Sequence, residues 1–115
     1  MIRSVLYLRA KNGNAQALVD AYRDHGILER ALLTPGCLGS DIEVPIDPSE
    51  PVLVTALWDS PEAYQRWVDD PWRAGSTGLL SPFLETDLNK GVRGQLYKVG
   101  HAVGASGTAE GATAG

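Results

Sequence analysis

Trp58, Tyr64 and Trp67 fall within one short stretch, PVLVTALWDSPEAYQRW, spanning Pro51 to Trp67. Each is a large flat ring with one polar handle. Such side chains line pockets for flat, partly polar molecules, the ring supplying area and the N–H or O–H supplying direction. Tyr22 and His25, earlier in the chain, add a phenol and an imidazole. Together these types suit proton transfer to and from a phenol or enol. A neutral imidazole is the natural base near neutral pH, and burial weakens its hold on a proton further. Tyr22, Tyr64 and the Trp58 N–H can hydrogen-bond a phenolic or carbonyl oxygen, and Arg73 can balance an anionic intermediate. Trp58, Tyr64, His25 and Tyr22 are therefore the candidate catalytic residues. Trp67, Trp72, Arg73, Leu80 and Phe83 are the candidate walls of the pocket. Each also has a structural reading that stays open: His25 and Tyr22 as satisfied core residues, Trp58 as a seal on the end of the sheet, Trp67 as core. Asp41 and Glu43 share one strand face and offer a carboxylate base or an ordinary solvated face.

Elements must hold these groups in place. The apolar run Val52 to Trp58 reads as a strand covered on both faces. Asp59 stops it, and Ser60-Pro61-Glu62 starts a helix at once: Ser caps free amides, Pro fits the first helical position, Glu suits the positive end of the dipole. Tyr64, Trp67 and Val68 then share a helix face. Upstream, Ile2 to Arg9 is a first strand, and Lys11 to Asn14 a turn whose Asn can cap a helix. The spacing of Leu18, Ala21, Tyr22, His25, Leu28 and Leu32 predicts a single helix from Ala15 to about Leu33, with Gly26 in its middle. Cys37 to Val44 is a second strand, joined by the Pro-rich turn Pro45 to Pro51 to the strand at Val52. The 60s helix ends near Asp69-Asp70-Pro71. The segment Trp72 to Gly78 reads as a break or frayed turn, and Leu79, Leu80, Phe83 and Leu84 as a short apolar face. Val92 to Val99 is the last strand. The order is β-α-β-β-α-β, an α+β ferredoxin-like antiparallel sheet with helices on one face. Helices from one chain cover only one side of strands that are apolar on both, so a second copy is expected on the open face, as a two-fold homodimer.

With 115 residues, the chain is expected to form one domain over residues 1–99, followed by a flexible Gly/Ala/Ser/Thr-rich tail over 100–115. The net charge of −4 comes with no basic cluster, which argues against nucleic acid or an anionic membrane as partner. No apolar run reaches the roughly 20 residues of a membrane span, and the first residues lack a signal-peptide pattern. A cytoplasmic location is expected. Cys37 has no second cysteine to pair with and reads as a small apolar residue at a strand start. Two histidines without ligand-like spacing predict no metal site, and no Gly-rich loop follows a strand to hold a phosphate or dinucleotide. No cofactor is expected.

A strand ending in Trp58 and continuing Asp-Ser-Pro-Glu-Ala-Tyr resembles the antibiotic biosynthesis monooxygenase family of dimeric α+β barrels. The resemblance implies an oxygenase of aromatic polyketide pathways, one that oxidises phenols or anthrones to quinones with dioxygen and no cofactor. It implies that Trp58 and Tyr64 match that family's strand-end Trp and a Tyr six residues on. One position departs: the family's oxygenases carry an Asn four residues before the Trp, where this chain has Val54. A haem-degrading branch needs an Asn on the first strand and a His on the second helical segment, and residues 60–85 contain no His. Three functions are thus weighed: a cofactor-free oxygenase on a polycyclic aromatic small molecule, a non-redox cyclase or isomerase, and a non-catalytic dimeric binding module.

Overall fold

A computed structural model describes residues 1–85 and 93–104. Strand β1 (Ile2–Leu8) leads through a 3-10 turn (Lys11–Gly13) to helices α1 (Ala15–Asp24) and α2 (Ile27–Leu32). Strands β2 (Cys37–Glu43) and β3 (Val52–Trp58) follow, then α3 (Pro61–Val68), α4 (Pro71–Leu80), a 3-10 turn (Ser81–Phe83) and β4 (Gln95–Lys98). The strands make one antiparallel sheet in the order β2-β3-β1-β4. This is the expected ferredoxin-like α+β arrangement. Val92 and residues 105–115 of the expected last strand and tail lie outside the described residues.

Register decides which side chains meet. Ser4 pairs with Ala56 and Leu6 with Val54 across β1 and β3, while Ser40 and Ile42 of β2 pair with Ala56 and Val54 from the other side. Side chains alternate between faces, so Ile2, Ser4, Leu6 and Leu8 share the helix-covered face with Val52, Val54, Ala56 and Trp58. Onto that face pack Leu18, Ala21 and Tyr22 of α1, Ile27 and Ala31 of α2, Ala63 and Trp67 of α3, and Leu80 of α4. Trp58 and Leu18 are completely buried; sequestering a side chain of that kind contributes on the order of 1.5–3 kcal/mol. The opposite face carries Arg3, Val5, Tyr7, Leu53, Thr55 and Leu57, with Tyr97 of β4 opposite Arg3.

The β3–α3 junction forms as its residues dictate. Ser60 Oγ accepts from the Ala63 amide at 3.2 Å and Pro61 opens the helix. Gly36, at φ +93°, fits beneath it: a Cβ there would come within 2.6 Å of both Ala63 Cβ and the Asp59 carboxylate, and its carbonyl accepts the Asp59 amide at 2.9 Å.

Two helical expectations change. The predicted single helix from Ala15 to Leu33 is broken in two. Asn14 caps α1 through the Ala17 amide, but Gly26 adopts φ 62°, ψ 34°, a left-handed conformation that glycine enters without the Cβ penalty. The glycine serves the turn, and no neighbouring element crowds it. The expected break at Trp72–Gly78 is instead helix α4. Asp70 Oδ1 accepts the Trp72 amide at 2.9 Å and Pro71 occupies the first turn, repeating the device at Ser60-Pro61. Gly75 and Gly78 sit on its exposed side, where their helix-weakening effect, ~1 kcal/mol each against Ala, is offset by burial of Ser76 and Leu80.

Candidate functional site

Between the sheet and the helices lies a cavity of about 290 Å³. The strands contribute its floor, with Ser4, Leu6, Val54, Ala56 and Trp58; α1 and α2 contribute Tyr22, Ile27, Leu28 and Ala31; α3 and α4 contribute Tyr64, Trp67, Arg73, Ser76, Thr77 and Leu80. Six of the nine candidate residues therefore meet at one cavity: Tyr22, Trp58, Tyr64, Trp67, Arg73 and Leu80.

Three do not. His25 was expected on the buried stripe of the first helix, but it is the cap residue where α1 ends before Gly26, and it is exposed. Helical periodicity stops there, so the imidazole leaves the stripe and cannot serve as the buried base. Trp72 packs on the far side of Trp67, ring centroids 6.3 Å apart, with the Arg30 guanidinium 5.2 Å above its ring. A cation over an indole face is a stabilising arrangement in its own right. Phe83 lies in the 3-10 turn after α4, packed on the core but not on the cavity. The alternative bases Asp41 and Glu43 are on the sheet's other face, where Asp41 accepts from Thr55 Oγ1 at 2.7 Å. Burial and the neighbouring Asp41 push the Glu43 carboxyl up. Cys37 is half-buried at the start of β2, and burial pushes its thiol up, away from nucleophilic thiolate.

Trp58 is the best-anchored group of the site. Its Nε1–H donates to Ser4 Oγ at 3.0 Å, both partners buried. Ser4 is the register partner of Ala56, so Trp58 stands diagonal to it on the same face, within reach of a long side chain. The indole N–H expected to meet a ligand is thus committed to Ser4, and the Ser4 hydroxyl proton is left to donate. Tyr64 packs edge-on to Trp58, centroids 5.6 Å apart and planes at 72°. On its other side lies Gly94, just ahead of β4, where a Cβ would overlap the Tyr64 hydroxyl. Tyr22 is 4% exposed; burial pushes its phenol up to about 12, against a smaller downward pull from Arg73. It stays protonated throughout the physiological range.

The sequence did not single out Ser4, Ser40, Ser76 or Thr77, all of which line the cavity. The one legible signal was Ser4, a polar residue in the inward series Ile2, Ser4, Leu6, Leu8. Ser40 and Ser76 hydroxyls are used locally, on the Thr55 and Arg73 carbonyls at 3.0 and 2.7 Å.

The family model for antibiotic biosynthesis monooxygenase matches residues 1–72. No curated protein sequence matches the chain. Among solved structures, a protein of Nitrosomonas europaea named as an antibiotic biosynthesis monooxygenase superposes with a TM-score of 0.68 at 14% identity, covering 88% of this chain and 100% of that one. The haem degrader MhuD of Mycobacterium tuberculosis, solved with two haems in its active site, gives 0.68 at 21% identity, covering 90% and 100%. SnoaB of Streptomyces nogalater, a cofactor-independent oxygenase, gives 0.66 at 12% identity, covering 88% and 94%. Similarity at these identities concerns the fold. No His, Cys or Met is among the described residues lining the cavity, which leaves Tyr22 and Tyr64 as the side chains there of a type that ligates haem iron; His25 and His101 are both exposed.

Proposed function

Because the chain belongs to the antibiotic biosynthesis monooxygenase family, we propose that it is a cofactor-independent monooxygenase acting on a polycyclic aromatic phenol or anthrone. One observation carries the reading. The cavity is walled by Trp58, Tyr64 and Trp67, holds the cation of Arg73 and the hydroxyls of Ser4 and Tyr22, and has no imidazole, carboxylate or thiol among its described lining residues. A cyclase or isomerase working by acid–base steps needs a group that titrates near neutrality within reach of substrate. An electron-rich phenolate or enolate needs less. It reduces dioxygen by one electron itself, and the protein's part is to hold it dry, favour its ionised form and supply donors to the developing charge. Arg73 favours the anion, and Ser4 and Tyr64 supply donors where Val54 cannot. For an anthrone the balance closes without a further reductant. The ring methylene gives up four electrons and two protons to one dioxygen: one oxygen atom becomes the new carbonyl, and the other takes both protons and leaves as water.

An oxygen electrode tests this on metal-free protein with an anthrone. The expected result is one dioxygen consumed per quinone formed, with the rate falling at least tenfold in Tyr64→Phe, on the scale of removing one transition-state donor. Product formation under strict anaerobiosis would sink the reading in favour of the non-redox enzyme.

The same proposal includes a homodimer. Tyr7 and Tyr97, 43% and 51% exposed, lie on the sheet's other face beside the buried Val5 and Leu57; a two-fold copy laid on this face buries both tyrosines. Light scattering should return twice the 12.3 kDa of one chain, and a monomer mass at micromolar concentration would refute it.

A further inference from the structure

Polar groups along the cavity are satisfied on one side and not on the other. Trp58 Nε1 is paired with Ser4 Oγ, and the Ser40 and Ser76 hydroxyls with backbone carbonyls. The Tyr22 hydroxyl, in a residue 96% withdrawn from solvent, has no hydrogen-bond partner among the described residues although it borders the cavity. Arg73 lines the same cavity, and among the described residues its guanidinium has no ion-pair partner. No Asp or Glu is among the described lining residues to neutralise it. Burial keeps the phenol protonated far above neutral pH.

A guanidinium only donates, and a protonated phenol beside it does best by donating too. Native structures seldom leave a buried phenol idle, because an unmade hydrogen bond in a dry site is costly, and Arg73, only partly buried, brings its positive charge close to that phenol. What is missing is an acceptor, and one with negative charge satisfies both donors at once.

We propose that the ligand of this cavity is an aromatic anion, a ring bearing a carboxylate or an ionised hydroxyl, whose charged oxygen is bound by Arg73 and Tyr22 while its ring lies among Trp58, Tyr64 and Trp67. The inference rests on reading the cavity as the substrate site and adds the charge that a substrate must carry.

Titration calorimetry on the full chain at neutral pH tests it with four probes: 2-naphthoate, its methyl ester, 2-naphthol (un-ionised) and 4-nitro-1-naphthol (ionised). The anions are expected to bind at least roughly tenfold tighter than their neutral counterparts, the scale of one charge-assisted hydrogen bond. Arg73→Gln should bring the anions down to the level of the neutral compounds, and Tyr22→Phe should weaken them several-fold. Preference for naphthoate alone assigns a carboxylate, and preference for the nitronaphtholate alone assigns an ionised hydroxyl. Equal affinity for charged and neutral probes overturns the proposal, as does no binding of any probe. Should Arg73→Gln fail to fold, the wild-type comparison and Arg73→Lys, which keeps the charge and loses the fork, still decide. Anion preference without oxygen uptake would refute the oxidation and leave this inference standing; oxygen uptake without anion preference would do the reverse.

Discussion

Trp58 and Tyr22 are both aromatic, both almost wholly withdrawn from water, and both border the same cavity from opposite layers. They differ in what their polar atoms do. The indole N–H is held by Ser4 across the β1–β3 pair, and the phenol has no such partner among the described residues. Identical burial thus has opposite meanings. A buried polar ring whose bond is made within the fold belongs to the scaffold, and one whose bond is unmade points toward something outside the chain.

Three measurements sharpen or break that contrast. The largest effect is expected at alkaline pH. The Tyr22 phenol sits at about 12 in the folded chain, above the ordinary value near 10 of an unfolded chain. Its contribution is intact below about pH 10, and is lost as pH rises through about 12, when the unfolded chain has already released the proton. Across that window the wild type should lose on the order of 3 kcal/mol more than Tyr22→Phe, seen in urea unfolding at stepped pH. Parallel curves would mean the phenol is solvated. Next comes Ser4→Ala, which strands the Trp58 N–H in a dry layer and should cost about 1–3 kcal/mol at neutral pH. An unchanged denaturation midpoint would place water, or another acceptor, at the indole. Smallest is Tyr22→Phe at neutral pH. Losing a hydroxyl that is buried without a bond should cost nothing, and should raise stability by up to about 1 kcal/mol. A loss as large as that of Ser4→Ala would show that the phenol is bonded within the fold, and the contrast would fail.

Local chemistry was legible where capping and periodicity agreed. The β3–α3 junction, read from Ser60-Pro61-Glu62, forms as read because the cap acts within three residues. Asp70-Pro71 carries the same signal, but Gly75 and Gly78 obscured it. The inward spacing of Trp72, Ser76 and Leu80 by fours outweighs two exposed glycines. His25 failed in the opposite sense. The stripe counted it as buried, and a single left-handed glycine after it ended the stripe. Ser4 needed the strand register before its partner could be known, and Arg73 needed the helix that was missed. Convergence of Tyr22, Trp58, Tyr64 and Arg73 is a property of packing four elements together, and spacing along the chain carries no trace of it.

Gly94 ties the far edge of the sheet to the same place. Its Cα rests against the Tyr64 hydroxyl with no room for a methyl group, and the next residue begins β4, which holds to β1 through only four register pairs. The ring and the strand edge therefore cannot be adjusted separately. Any shift of the Tyr64 ring toward Gly94 is transmitted to the most lightly attached strand of the sheet, so β4 acts as a mechanical stop on the cavity wall, and its grip on β1 sets how stiff that wall is.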